Sequence, residues 1–211
     1  MHASASITAA HFPAPALLAK SFARPQAMTT LAPEMEIYAQ GEVAGNLYHI
    51  AFGAVRIYRL LADGRRQIIA FHIAGETFGF EAGRARSFFA ESIVSTGLAR
   101  VDVDRDGRYS SQLMDLALRE MIRAQQHLLV VGKQSALEKV AGFLVDLAER
   151  QGDLNLIDIL MTRTDIGDYL GITIETVSRS LTKLRTDGIV KLHSSRTIEV
   201  LKPDSLRRLS R

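Results

Sequence analysis

The sequence predicts an α+β protein made of a roll of short antiparallel strands, a long helix and a C-terminal winged helix-turn-helix. Three observations predict it. Between residues 31 and 108 short apolar runs alternate with regularly spaced glycines, from Tyr109 to Gln134 the apolar period becomes helical, and from Thr162 two short capped helices precede two short strands. The 211 residues suit one or two domains, and 47% hydrophobic with 23% charged residues is the balance of a soluble globular chain. The absence of cysteine excludes disulfides, cysteine-ligated zinc or iron-sulfur clusters, and thiol catalysis.

Residues 1–30 are rich in Ala, Ser, Thr and Pro, as in HFPAPALLAK, and keep no sustained period. They read as a flexible N-terminal arm. The arm lacks the basic start and unbroken apolar stretch of a signal peptide, and no run nears the roughly 18 apolar residues of a spanning helix. The expectation is a cytoplasmic protein with no membrane partner.

Residues 31–108 contain the runs LYHIAFG, AVRIYRLLADG, RRQIIAFHIAG and ETFGF. Gly41, Gly53, Gly64 and Gly75 follow at intervals of 12, 11 and 11, the rhythm of short strands joined by tight turns. Asp63-Gly64 is the clearest hairpin turn. The segment reads as a roll or sandwich of eight to ten strands.

Over residues 109–134, Met114, Ala117, Met121, Ala124, Leu128 and Val131 are spaced 3, 4, 3, 4 and 3 apart, an a/d seam suited to a symmetric dimer or to packing within the chain. A second stripe, Leu118, Ile122 and Leu129, is expected to pack on the roll. Ser135 and Glu138 read as a capping box opening another helix after a break near Gly132, which makes a hinge between the modules. That helix is expected to end before Gln151, and Ile157 to Met161 to form a short strand.

The third module, residues 135–211, holds the segment TRTDIGDYLGITIETVSRSLTKLRTD. Thr162 and Asp165 are placed to cap a helix whose Ile166, Tyr169 and Leu170 point inward. Gly171 permits a tight turn, and Thr173 caps a second helix with Val177, Leu181 and Leu184 as its buried stripe. GIVKLH and RTIEVL, around Ser194-Ser195, add a wing. On the second helix Glu175, Ser178 and Arg179 share the face opposite the stripe, near the end that meets base edges in a recognition helix. Arg179 suits guanine O6 and N7, and Glu175 accepts from a cytosine amino group, each contact worth about 1–3 kcal/mol of discrimination. The alternative is a surface Glu175–Arg179 ion pair worth about 0.3–0.5 kcal/mol.

Charge favours DNA as the partner. From Thr176 to Arg211 nine basic residues face three acidic ones, a net +6, whereas the first 175 residues carry 17 basic and 20 acidic ones, or −3. Lys183, Arg185, Lys191 and Arg196 lie where phosphates would flank the helix, and Thr162, Arg163, Thr173 and Thr176 are further candidates for backbone contacts. A carboxylate such as Glu175 is repelled there unless a base amino group satisfies it.

The order of these modules over residues 31–205, the segments GAVRIYRLLADGRRQIIAFHIAGETFGFE and RTDIGDYLGITIETVSRSL, and the Glu-x-x-Ser-Arg signature resemble the cyclic AMP receptor protein and fumarate-nitrate reduction regulator (CRP/FNR) superfamily. Within it, they resemble a rhizobial branch that regulates nitrogen fixation. The resemblance implies a cyclic-nucleotide-binding-like β-roll and a dimerisation helix in a homodimeric regulator. It further implies an activator, working with RNA polymerase, of genes for microaerobic respiration and nitrogen fixation, some directly and others through a second regulator. It implies TTGAT or TTGAC half-sites in an inverted repeat, with Arg179 on the guanine, Glu175 on the cytosine opposite and Ser178 near a thymine.

The superfamily's nucleotide binders carry a phosphate cassette of Gly-Glu, a short helix and then Arg followed by Ser or Thr. Here Gly79-Phe80-Glu81 reaches Arg86-Ser87 over a shorter interval, and Arg86 is expected to be a solvated loop residue. Iron-sulfur sensing by relatives needs cysteines that this chain lacks. A haem-binding relative uses a histidine near the position of His72, which is expected to be satisfied or exposed. What remains is a regulator with no cofactor, active without a ligand and controlled through its amount by an upstream oxygen-responsive two-component system. The alternative is gating by a cyclic nucleotide or haem. A metal-cupin enzyme would need a His-x-His pair, which His2, His11, His49, His72, His127 and His193 do not supply. With no phosphate loop or Gly-x-Ser-x-Gly elbow either, no catalysis and no metal site is expected.

Overall fold

The computed structural model describes residues 27–101, 110–133, 135–152 and 155–210. Eight short strands build the first module: β1 (Met28–Leu31), β2 (Glu36–Tyr38), β3 (Leu47–Phe52), β4 (Ala54–Leu60), β5 (Arg66–Ile73), β6 (Thr77–Phe78), β7 (Phe89–Ser92) and β8 (Thr96–Val101). The glycine rhythm marks their corners. Gly41, Gly53, Gly64 and Gly75 all have φ between 81 and 91°, a region that side chains disfavour. The strands form two four-stranded sheets, ordered β1-β8-β3-β6 and β2-β7-β4-β5, with Ile50, Val55, Ile57, Phe78 and Leu98 buried in the roll core. Strand β1 begins three residues inside the segment read as the arm. Residues 1–26 of that arm lie outside the described residues.

Helix α1 (Ser110–Val131) carries the predicted seam and α2 (Ala136–Gln151) follows the predicted break. Ser135 and Glu138 form the capping box reciprocally, and Gly152 closes α2 in the left-handed conformation, so the helix runs one residue further than expected. Within α1 the second stripe is a correction: Leu118, Ile122 and Leu129 are exposed, and Leu116, Glu120, Arg123 and His127 face inward instead. The reason lies in what awaits them. Glu76 receives Arg123 at 3.1 Å and Arg150 at 2.8 Å, and Glu120 pairs with Arg123 at 2.8 Å. This charged patch takes the polar side of the helix.

The two modules share a core. Alternation along β4 sends Val55 and Ile57 into the roll and Ala54 and Arg56 out of it, and β4 is buried on both faces over its first four residues. Ala54, Ile68, Phe71 and Ile73 join Val140, Phe143, Leu144 and Leu147 of α2 and Ile166 and Leu170 downstream. The break at Gly132 is therefore bridged by packing between the modules on either side of it. Arg150 completes the junction, donating to the Phe71 carbonyl at 2.6 Å and to Glu76. Burial alone would raise the Glu76 carboxyl, but Arg150 and His72 hold it well below the usual range.

His72 is buried beside two carboxylates. Its Nδ1 lies 3.6 Å from Glu76 and 3.8 Å from Glu120 without a hydrogen bond. His127 stacks on Tyr169 with centroids 3.8 Å apart, and burial lowers its pKa from 6.5 to about 4, against a smaller opposing pull from Asp146. Below the ordinary value the unfolded chain binds a proton that the folded chain refuses. The stability His127 contributes is thus complete above pH 6.5 and declines as pH falls from 6.5 towards 4. The midpoint of thermal unfolding should drop over that window, and His127→Phe, which keeps the stack, should flatten the drop. An unchanged slope would contradict the assignment.

Candidate nucleic-acid interface

The C-terminal module is assembled from caps outward. Thr162 accepts from the Asp165 N–H at 3.0 Å and Asp165 Oδ2 accepts from the Thr162 N–H at 3.1 Å, a capping box that starts α3 (Arg163–Leu170). Gly171, with φ 66°, ends it. Thr173 caps α4 (Ile174–Thr186), accepting from the Thr176 N–H at 3.3 Å. Gly167 keeps the turn tight. A Cβ there would stand 2.7 Å from the Ile172 carbonyl, whose own residue donates to the Gly167 carbonyl at 3.1 Å. The wing is a three-stranded sheet ordered β10-β11-β9, from β9 (Leu156–Asp158), β10 (Val190–Leu192) and β11 (Thr197–Val200), and α5 (Pro203–Leu209) closes the module.

Val177, Leu181 and Leu184 are buried as predicted, which turns Glu175, Ser178 and Arg179 together to solvent. Ser178 Oγ donates to the Ile174 carbonyl at 2.9 Å, and Arg179 Nε donates to the Glu175 carbonyl at 3.4 Å. No ion pair among the described residues joins the Glu175 and Arg179 side chains. The Glu175 carboxyl is held below the usual range, first by its own backbone N–H and the Thr173 hydroxyl and less by Arg179.

The candidate phosphate contacts separate into groups. Arg185 and Arg196 are exposed, Arg196 beside the wing turn where its N–H donates to Ser194 Oγ at 3.0 Å. Lys183 pairs with Asp187 at 2.8 Å and Lys191 lies 3.8 Å from Glu199. The hydroxyls of Thr173 and Thr176 are 3.1 Å apart, and that of Thr162 donates to Asp165 at 2.7 Å. Arg163 is half-buried, with Nη1 sealed from solvent and without a hydrogen-bond partner.

The loop expected to carry a solvated Arg86 is different. Arg86 is only 4% exposed, donates to the Gly79 and Asn46 carbonyls at 2.6 and 2.7 Å, and sits 4.1 Å over the Tyr38 ring. Ser87 spends its N–H and hydroxyl on Glu81. Gly79 and Glu81 within the loop and Asn46 from outside it take up these donors.

Sequence reasoning missed the charges beneath α3. Asp165 is completely buried and accepts from Arg56 at 3.2 Å and from Arg66 at 2.6 Å, while Arg66 also pairs with Asp168 at 3.0 Å. The available signal was Arg56 itself, a charge inside the apolar run AVRIYRL.

Two family models match, a cyclic nucleotide-binding domain over residues 28–104 and a Crp-like helix-turn-helix domain over residues 138–209. The nitrogen fixation regulation protein FixK of Rhizobium meliloti is 53% identical over 185 residues, 88% of either chain. FixK of Azorhizobium caulinodans is 42% identical, covering 82% of this chain and 75% of that one. The chain belongs to the FixK group of the CRP/FNR family. The solved structure of FixK2 from Bradyrhizobium japonicum agrees, with a TM-score of 0.81 at 36% identity over 88% of this chain and 98% of that one. This CRP/FNR regulator is accordingly a DNA-binding transcription protein of the nitrogen-fixation type and not an enzyme. None of its described helices is long and apolar enough to cross a membrane. Because the Gly167 approach is so close, Gly167→Ala should overpack the turn and cost about 1–3 kcal/mol, read as a lower denaturant midpoint. An unaltered midpoint would show that the turn has slack.

Proposed function

We propose that this CRP/FNR regulator acts in the cytoplasm as a dimer, without a cofactor or small ligand. It binds an inverted repeat of TTGAT or TTGAC half-sites and, with RNA polymerase, activates genes of microaerobic respiration and nitrogen fixation. The observation that carries the reading is the solvent-open face of α4, where Glu175 and Arg179 stand side by side without pairing to each other. Arg179 has a bidentate fork free for a guanine, and Glu175 an acceptor free for a cytosine amino group. The basic Arg185 and Arg196 and the lysines supply salt-dependent grip on phosphates.

Dimerisation is supported by α1. Met114, Met121 and Leu128 are 60, 51 and 70% exposed, Ala124 is exposed, and Ala117 and Val131 are half-buried, so most of the seam is left without an apolar cover in the single chain. Ligand independence is supported by Arg86, which is buried with its guanidinium already bonded to the Gly79 and Asn46 carbonyls. A second reading, gating by a cyclic nucleotide, is favoured by the match of residues 28–104 to a nucleotide-binding domain, and addition of cyclic AMP separates the two.

In a binding assay, ligand-free wild-type protein should prefer the repeat over scrambled DNA, and Arg179→Ala should lose about 1–3 kcal/mol of that preference per half-site. Retained preference would remove Arg179 from base reading. A requirement for cyclic AMP would establish the second reading. Met121→Glu should sediment as a monomer, and an unchanged dimer would place the partner surface elsewhere.

A further inference from the structure

The most heavily buried charges in the described chain sit between the roll and the helix-turn-helix, where the function above gives them no task. Arg56 leaves β4 on the face opposite the roll core and meets Glu34, Glu91 at 2.6 Å and Asp165 at 3.2 Å. Arg66, at the start of β5, meets Asp165 at 2.6 Å and Asp168 at 3.0 Å, and neighbouring Gln67 donates to the Asp168 carbonyl at 2.7 Å. Two guanidiniums thus hold four carboxylates. Two of those carboxylates belong to the roll and two to α3, the helix that positions α4.

We propose that Arg66, with Arg56 behind it, is a positioning residue for DNA binding: it clamps α3 to the roll so that the two recognition helices of a dimer stand at a fixed separation. The inference rests on the DNA-binding reading above. Docking leaves Glu175, Ser178 and Arg179 exposed, so the clamp does not cover the base-reading face. A dimer engages two half-sites only when its helices are one helical turn apart, roughly 34 Å. If the modules were free to rotate, only the fraction of dimers in that geometry would bind, and apparent affinity would fall in proportion. Without Arg66, Asp168 loses its cation and Asp165 keeps only Arg56, which already serves Glu34 and Glu91, so repulsion between the two sides loosens α3 on the roll.

The test compares duplexes carrying the whole repeat with duplexes carrying a single half-site. Arg66→Ala should weaken binding to the whole repeat about tenfold, within the usual range of coupling between sites, Arg66→Glu, which adds a further carboxylate, should weaken it more, and both should leave half-site binding unchanged. The chain has no cysteine, so Ala62→Cys and Ser195→Cys place a spin-label pair on the roll hairpin and the wing. The label-to-label distance distribution should broaden in both variants. Equal losses on the two duplexes would reveal damage to the module itself and overturn the proposal, as would undiminished binding to the whole repeat or an unbroadened distribution. Failure of the DNA reading would show separately, as a wild type with no preference for the repeat.

Discussion

Asp165 serves two neighbours with one carboxylate. Its Oδ2 closes the capping box on Thr162, which fixes where the first helix of the helix-turn-helix begins. Its Oδ1 receives Arg56 and Arg66 from the roll. Removing one partner of such a buried pair leaves an uncompensated charge and costs about 3–5 kcal/mol. The start of α3 and the docking of its module are therefore set by the same atoms. The rest follows from that anchor: Gly167 brings the turn against α3, Thr173 restarts the chain, and the buried stripe of α4 turns Glu175, Ser178 and Arg179 outward.

Helix α1 shows a complementary constraint. Charges within the chain hold much of its inner side through Glu120 and Arg123, and apart from Leu116 and Val130 its larger apolar residues mostly face away. A helix that meets its own body largely through ion pairs and presents Met114, Met121 and Leu128 to solvent is what the proposed dimer would use. At the loop where relatives of the superfamily hold a nucleotide phosphate, the reverse applies. Arg86 is bonded to the Gly79 and Asn46 carbonyls and Ser87 to Glu81, so neither of these two side chains is left open to an anion, and the exposed cation of the loop is Arg84.

Local chemistry made much of this legible in the sequence. Glycines with positive φ, the Ser135 and Thr162 capping boxes, Gly171 and the Val177–Leu181–Leu184 stripe are set by near neighbours in the chain, and each stands where its pattern puts it. Long-range partners stayed hidden. Arg56 and Arg66 meet Asp165 across 109 and 99 residues, and Asp165 already had a local explanation as a cap. Periodicity identified the apolar sides of α1 without revealing that charges would claim the inner one. The burial of Arg86 depends on carbonyls of Asn46 and Gly79, one of them 40 residues away. The candidate base-reading residues were visible because a face opposite a buried stripe is a local property.

Transcription from purified components would test ligand-free, sequence-specific activation in one experiment. RNA polymerase, a promoter bearing the TTGAT repeat and this regulator would be mixed in air without cyclic nucleotide, haem or metal. Transcript should rise with added protein and fail to rise on a promoter with the repeat scrambled. Transcription that stays flat until cyclic AMP or haem is supplied, or that rises equally on both promoters, would contradict such activation.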